Sequence, residues 1–136
     1  MIQVKKNIVA GLAERFGIPV RDEVTEQGFD KPCFFVKDLS STHTKEVGDY
    51  QRSVYFFDIH YFTDAEWANE ACEKMNQELI KLFWFFEPLR KRPTSMAGEI
   101  RDGVLHFFVD FQIRYQVSLA ESEKMEVLEV RSGLND

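Results

Sequence analysis

Four side chains have the types and spacing to do chemistry together. Asp58 and His60 are two residues apart in the run QRSVYFFDIHYF, and His106 and Asp110 are four apart in VLHFFVDFQIRYQV. Side chains at even spacing share one face of a strand. If the two runs are neighbouring strands, two imidazoles and two carboxylates converge, which is acceptable metal-ligand chemistry. The competing reading is a solvated or interfacial polar patch with cross-strand pairs. Three histidines in 136 residues are too few to be a signal by count, so the patch is the reading adopted. No metal, cofactor or catalytic residue is expected.

Other chemistry is missing from the sequence. The seven glycines are scattered, with no phosphate-cradling loop, and neither His-Glu-x-x-His nor Gly-x-Ser-x-Gly occurs. Cys33 and Cys72 are far apart and outside any Cys-x-x-Cys pair, so buried free thiols are expected rather than a disulfide or zinc knuckle. Arg90, Lys91 and Arg92 form a basic run on a connector and read as a solvated loop. With 23 acidic against 17 basic residues and a net charge of −6, the chain lacks the basic face that a sequence-reading nucleic-acid binder needs. The apolar run at residues 8–12 is too short for a signal peptide. No stretch approaches the roughly 20 apolar residues of a membrane span. Synthesis in the cytoplasm follows.

The elements that must position these residues are legible from periodicity. Residues 2–16 read as an amphipathic helix, with Ile8, Leu12 and Phe16 at i+4 spacing, joined by Val4 and Ala13. Gly17 stands at the C-cap and Pro19 follows. Residues 18–24 are a short strand candidate, followed by a turn at Gln27, Gly28 and Asp30. Residues 33–42 form a strand, and the polar stretch 44–49 connects it as a hairpin to a second long strand at 51–62. On that strand Tyr55, Phe57, Ile59 and Tyr61 face the core, and Val54, Phe56, Asp58, His60 and Phe62 face away.

Thr63 and Glu66 fit a capping box opening a helix. Ala68, Ala71, Cys72, Met75, Leu79, Leu82 and Phe83 then form one stripe at 3.6-residue spacing. The helix is expected to end near Phe83, with residues 84–86 running on as an extended tail. Residues 94–101 read as a strand, and Asp102–Gly103 is a strong hairpin signal. The strand after it, residues 104–117, places Leu105, Phe107, Val109, Phe111, Ile113, Tyr115 and Val117 on one face. His106, Asp110, Gln112, Arg114 and Gln116 alternate with them, and Phe108 breaks the pattern. Residues 118–123 are a polar turn and 125–130 a last strand candidate.

One domain, residues 1–136, follows from the length. Its class is α+β, in the order α-β-β-β-α-β-β-β, with an antiparallel or mixed sheet and both helices packed on one face. Val54, Phe56, Phe62 and Phe108 then point away from the helices, and Phe34 and Val36 are candidates to join them. A contiguous apolar patch of this kind is covered either by the chain's own loops or by another subunit.

The segments EQGFDKPCFFV (26–36), YFFDIHYF (55–62), DGVLHFFVDFQIRY (102–115) and KMEVLEV (124–130) resemble those of a phage tail terminator family. That family occurs in phages and prophages of Gram-positive bacteria, commonly with contractile tails. The resemblance runs through nearly the whole chain, with its largest departure at residues 84–93.

It implies a structural, non-enzymatic virion tail protein, present in the host cytoplasm during assembly. Such a protein forms a homo-oligomeric ring, commonly a hexamer, that caps the tail tube, stops its polymerisation and joins it to the head–neck proteins. DNA would pass the lumen without specific binding. The expected subunit or partner contacts are His43, Thr44, Lys45, Glu46, Tyr50, Val54, Phe56, His60, Phe62 and Phe108. The alternatives are another head–tail connector or tail completion protein, and a metal-binding or enzymatic α+β domain.

Overall fold

A computed structural model describes residues 3–21, 30–118 and 129–132. The element order is α1 (Val4–Phe16), β1 (Val20–Arg21), β2 (Cys33–Lys45), β3 (Tyr50–Phe62), α2 (Ala68–Trp84), β4 (Ser95–Arg101), β5 (Val104–Ser118) and β6 (Glu129–Ser132). This is the expected α+β order. The expected turn residues Gln27 and Gly28, the strand candidates 22–24 and 125–128, and residues 119–123 lie outside the described residues.

The sheet runs β1-β2-β3-β5-β4, with β6 also pairing β5. It is mixed: β1 pairs β2 in parallel, and the remaining pairs are antiparallel. The central pair is β3 with β5, in register from Tyr50↔Gln116 to Phe62↔Val104 without interruption. Asp102 (φ 51°) and Gly103 (φ 74°) turn β4 into β5. Both take the positive φ that a two-residue primed turn demands.

Both helices cover one face of this sheet, and one core joins them to it. Val4, Ile8 and Leu12 of α1 and Cys72, Leu79 and Phe83 of α2 are buried in the same cluster. The sheet contributes Phe34, Val36, Phe57, Ile59 and Tyr61, together with all six alternating residues from Leu105 to Tyr115. The α1 stripe loses Ala13, which is exposed. Gly17 closes the helix in the left-handed conformation, its N–H bonded to the Ala13 carbonyl at 2.9 Å.

Four local expectations are corrected. The Thr63–Glu66 capping box does not form. Thr63 Oγ1 instead accepts from the Ala65 N–H at 3.0 Å, a tight turn at the strand end, and α2 begins at Ala68 behind Trp67 without a side-chain cap. At the other end Trp84 stays helical, and Phe85 is the extended residue.

The connector that follows is not a solvated loop throughout. Phe86 is fully buried, Lys91 is buried, and the Phe86 N–H bonds the Lys91 carbonyl at 2.8 Å. The Phe86 ring packs on Phe83 and Phe111 with centroids 4.8 and 5.7 Å away.

Finally, Phe34 and Val36 lie in the helix-covered core, and Cys33 and Phe35 take the opposite face of β2. The strand's polar far half hides which of its faces points inward.

A bulge between Asp38 and Ser40 resets β2. Side chains alternate with period two, so one extra residue exchanges the faces beyond it. Phe34, Val36 and Asp38 share the helix side before the bulge, and Ser41, His43 and Lys45 share it afterwards.

Candidate interaction face

The face of the sheet turned away from the helices carries most of the predicted contact residues. Across β3 and β5 the pairs on this face are Arg52↔Arg114, Val54↔Gln112, Phe56↔Asp110, Asp58↔Phe108, His60↔His106 and Phe62↔Val104. Val54, Phe56, His60, Phe62 and Phe108 are all half-buried here. Phe35 extends the row from β2. Its ring meets Phe62 edge-on at 5.4 Å, Phe62 lies 6.3 Å from the His60 ring, and the Phe108 ring stacks beside His106 at 6.4 Å. The result is a strip of rings across three strands, a strong former of protein contacts because it buries much area at little entropic cost.

Within the strip, Asp58, His60 and His106 meet. Asp58 is 7% exposed. Its Oδ2 lies 2.8 Å from His60 Nε2 and 3.2 Å from His106 Nδ1, and the imidazole centroids are 4.4 Å apart. Among the described residues this is the group able to hold a metal ion. Asp110, the fourth member considered, is not part of it: it accepts a hydrogen bond from Ser95 Oγ at 2.7 Å.

The hairpin end continues the same face. Arg114 Nε donates to Glu46 Oε1 at 2.9 Å, and its guanidinium lies 4.3 Å over the Tyr50 ring. Thr44 sits opposite Arg52 on this side. His43 and Lys45 do not, because the bulge turns them to the helix side, beyond the helices' reach.

There His43 joins a polar network. His43 Nδ1 is 2.7 Å from Ser53 Oγ, Ser53 shares a 2.9 Å hydrogen bond with the Tyr115 hydroxyl, and Gln51 Nε2 donates to that hydroxyl at 2.6 Å. Ser53 is fully buried, so these bonds satisfy a group that would otherwise be costly.

Sequence reasoning missed the apolar residues that stand out in solvent: Leu39, Val47, Trp67, Trp84 and Phe85. Leu39 is the extra residue of the bulge, and it lines an open groove of 810 Å³ between α1 and the β2–β3 hairpin. A lone leucine in a polar strand half, and a valine (Val47) in a turn, were the available signals.

The thiols of Cys33 and Cys72 are buried and free. Burial pushes both above the ordinary thiol range, and Arg21 partly opposes this at Cys33. They are packing groups rather than nucleophiles.

Among the described residues no cleft gathers nucleophile, base and oxyanion donors, and the feature that stands out is a broad, half-buried, ring-rich sheet face. A family model for phage tail terminator proteins matches residues 3–125, spanning both helices and strands β1 to β5. The chain belongs to the phage tail terminator protein family. A comparison with curated proteins returns no match. The terminator is accordingly a structural protein of the phage tail, the virion substructure in which it resides. No described helix is long and apolar enough to cross a membrane.

Proposed function

We propose that this terminator assembles into a closed homo-oligomeric ring, a hexamer, that caps the finished tail tube. The ring stops tube polymerisation and presents its far surface to the head–neck proteins. Family membership together with the half-buried aromatic strip carries this reading. A sheet face with Phe56, Phe62 and Phe108 outside the helix-covered core is better suited to a protein partner than to water.

Subunits related by rotation meet through two different surfaces, so the contacts are head-to-tail. In the proposed ring the strip is one of those surfaces. The hairpin end, with Glu46, Tyr50 and the protruding Val47, reaches towards the neighbouring subunit or the tube. The net charge of −6 suits a bore that DNA slides through without sticking. The phage or prophage host would be a Gram-positive bacterium, and assembly would take place in its cytoplasm.

The test is to measure the mass in solution with and without tail tube protein, and to image purified tubes by electron microscopy. Density at one tube end and arrested elongation are expected. Tubes that keep growing, or protein bound along their length, would overturn the proposal. A uniformly positive bore in an assembled ring would sink the account of DNA passage.

A further inference from the structure

We infer that Asp58, His60 and His106 form a mononuclear site for a divalent transition-metal ion, best suited to zinc. The site does not depend on the terminator reading, because all three ligands come from one chain.

The geometry is set by the backbone. His60 and His106 are directly opposed across β3 and β5, and Asp58 stands two residues along β3 on the same face. Their ligand atoms all lie within 4.8 Å of one another. Ligand atoms on one zinc ion stand roughly 3.0–3.5 Å apart. The two contacts to Asp58 Oδ2, at 2.8 and 3.2 Å, are already close to that spacing.

A second observation points to a ligand. Asp58 is more than nine-tenths buried, and its Oδ1 has no hydrogen-bond partner. A buried carboxylate ordinarily fills its acceptor sites. Here both imidazoles crowd onto one oxygen and leave the other unused. An ion held by both carboxylate oxygens would give Oδ1 the partner it lacks and take both ring nitrogens at once.

The neighbouring groups limit the set to three. Glu99, across from His106 on β4, is held by Arg101 through bonds of 2.8 and 2.9 Å. Asp110 is engaged by Ser95, and Lys37, opposite Asp58, is a cation. Two imidazoles and one carboxylate form a recurrent three-ligand zinc set, with the fourth position left to water or to a group from outside the chain.

Proton bookkeeping is simple. In the bound state His60 Nε2 and His106 Nδ1 offer lone pairs to the ion while the opposite ring nitrogens carry the protons, and any further proton on either ring leaves to solvent. The ion places positive charge directly on the buried carboxylate.

The experiment uses the full-length, tag-free chain titrated with zinc chloride by calorimetry, and with cobalt chloride by visible absorption. One ion per chain is expected. Asp58→Asn and His106→Ala should weaken binding by more than the roughly 10–100-fold that loss of an outer-shell partner costs. His43→Ala should bind as the wild type does.

Binding no stronger than that of a His60→Ala/His106→Ala double variant overturns the inference, as does stoichiometric binding that survives in that variant. Should the variants fail to fold, ring-nitrogen NMR of the wild type decides. Zinc must shift His60 Nε2 and His106 Nδ1 while sparing His43, and unchanged His60 and His106 signals refute the site.

Discussion

Replacing Gly11 by alanine sets two well-understood effects against each other. Gly11 lies inside α1, where alanine is normally better than glycine by about 1 kcal/mol. A Cβ at this position would stand 2.7 and 2.8 Å from two carbons of the Phe86 ring, against the roughly 3.5–4.0 Å of a comfortable carbon contact. One partner must therefore retreat by about 1 Å.

Phe86 has little room to do so, being fully buried and wedged against Phe83 and Phe111. Overpacking of this kind costs about 1–3 kcal/mol. The net expectation for Gly11→Ala is a loss of about 1 kcal/mol, opposite in sign to the helix-propensity rule. Urea denaturation reads this directly as a lower midpoint at unchanged slope, and the melting temperature should fall by about 3–5 °C. Phe86→Leu makes space, so the double variant should show a favourable coupling of about 1 kcal/mol between the two sites. A Gly11→Ala protein that gains about 1 kcal/mol would refute the seating of Phe86 against α1.

Phe56→Asp places a charge on the aromatic strip and should leave a folded monomer. An unchanged oligomer by light scattering would remove this residue from the interface. Tyr115→Phe deletes the hydroxyl that Gln51 and Ser53 share and should cost about 1 kcal/mol in urea; an unaltered midpoint would mean that water replaces it fully. Gly103→Ala forces a side chain into φ +74° and should cost about 1–2 kcal/mol, with no loss expected only if the turn rearranges. Cys33 and Cys72 should resist a thiol reagent at pH 8 until denaturant is added. Their raised thiol values leave stability unaffected at lower pH and erode it as pH climbs past about 8.5, where the unfolded thiols ionise. A flat stability profile through that range would contradict the burial assigned to them.

Where burial is periodic, the sequence announces it. Six alternating residues from Leu105 to Tyr115 are buried as the pattern requires, and Asp102–Gly103 makes the turn its residue types demand. Gly17 caps α1 for the same reason. The misreadings occur where two local arrangements compete. Thr63 can cap a helix or close a turn, and only the path from β3 to α2 decides between them. Phe34 and Phe35 are both buried, so composition could not tell which faced the helices. Phe86 sits beside basic residues and a proline, and nothing in that neighbourhood indicates that a glycine on a distant helix leaves space for its ring. At the candidate site, the pairing of His60 with His106 needed only the two strands to be neighbours. The exclusion of Asp110 required knowing that Ser95 sits across from it.

The extra residue at Leu39 separates two halves of the β2–β3 hairpin that obey different constraints. Inboard of it, Phe34 and Val36 must keep their phase with the helices. Outboard, the faces of β2 are assigned afresh, while β3 keeps its pairing with β5 as far as Tyr50↔Gln116. Adding two residues to each strand at the hairpin tip, beyond Lys45 and Tyr50, would lengthen it by roughly 7 Å with every side chain still on its own side. Such a hinge in the pattern lets the reach and chemistry of the hairpin tip change while the packed body stays constant.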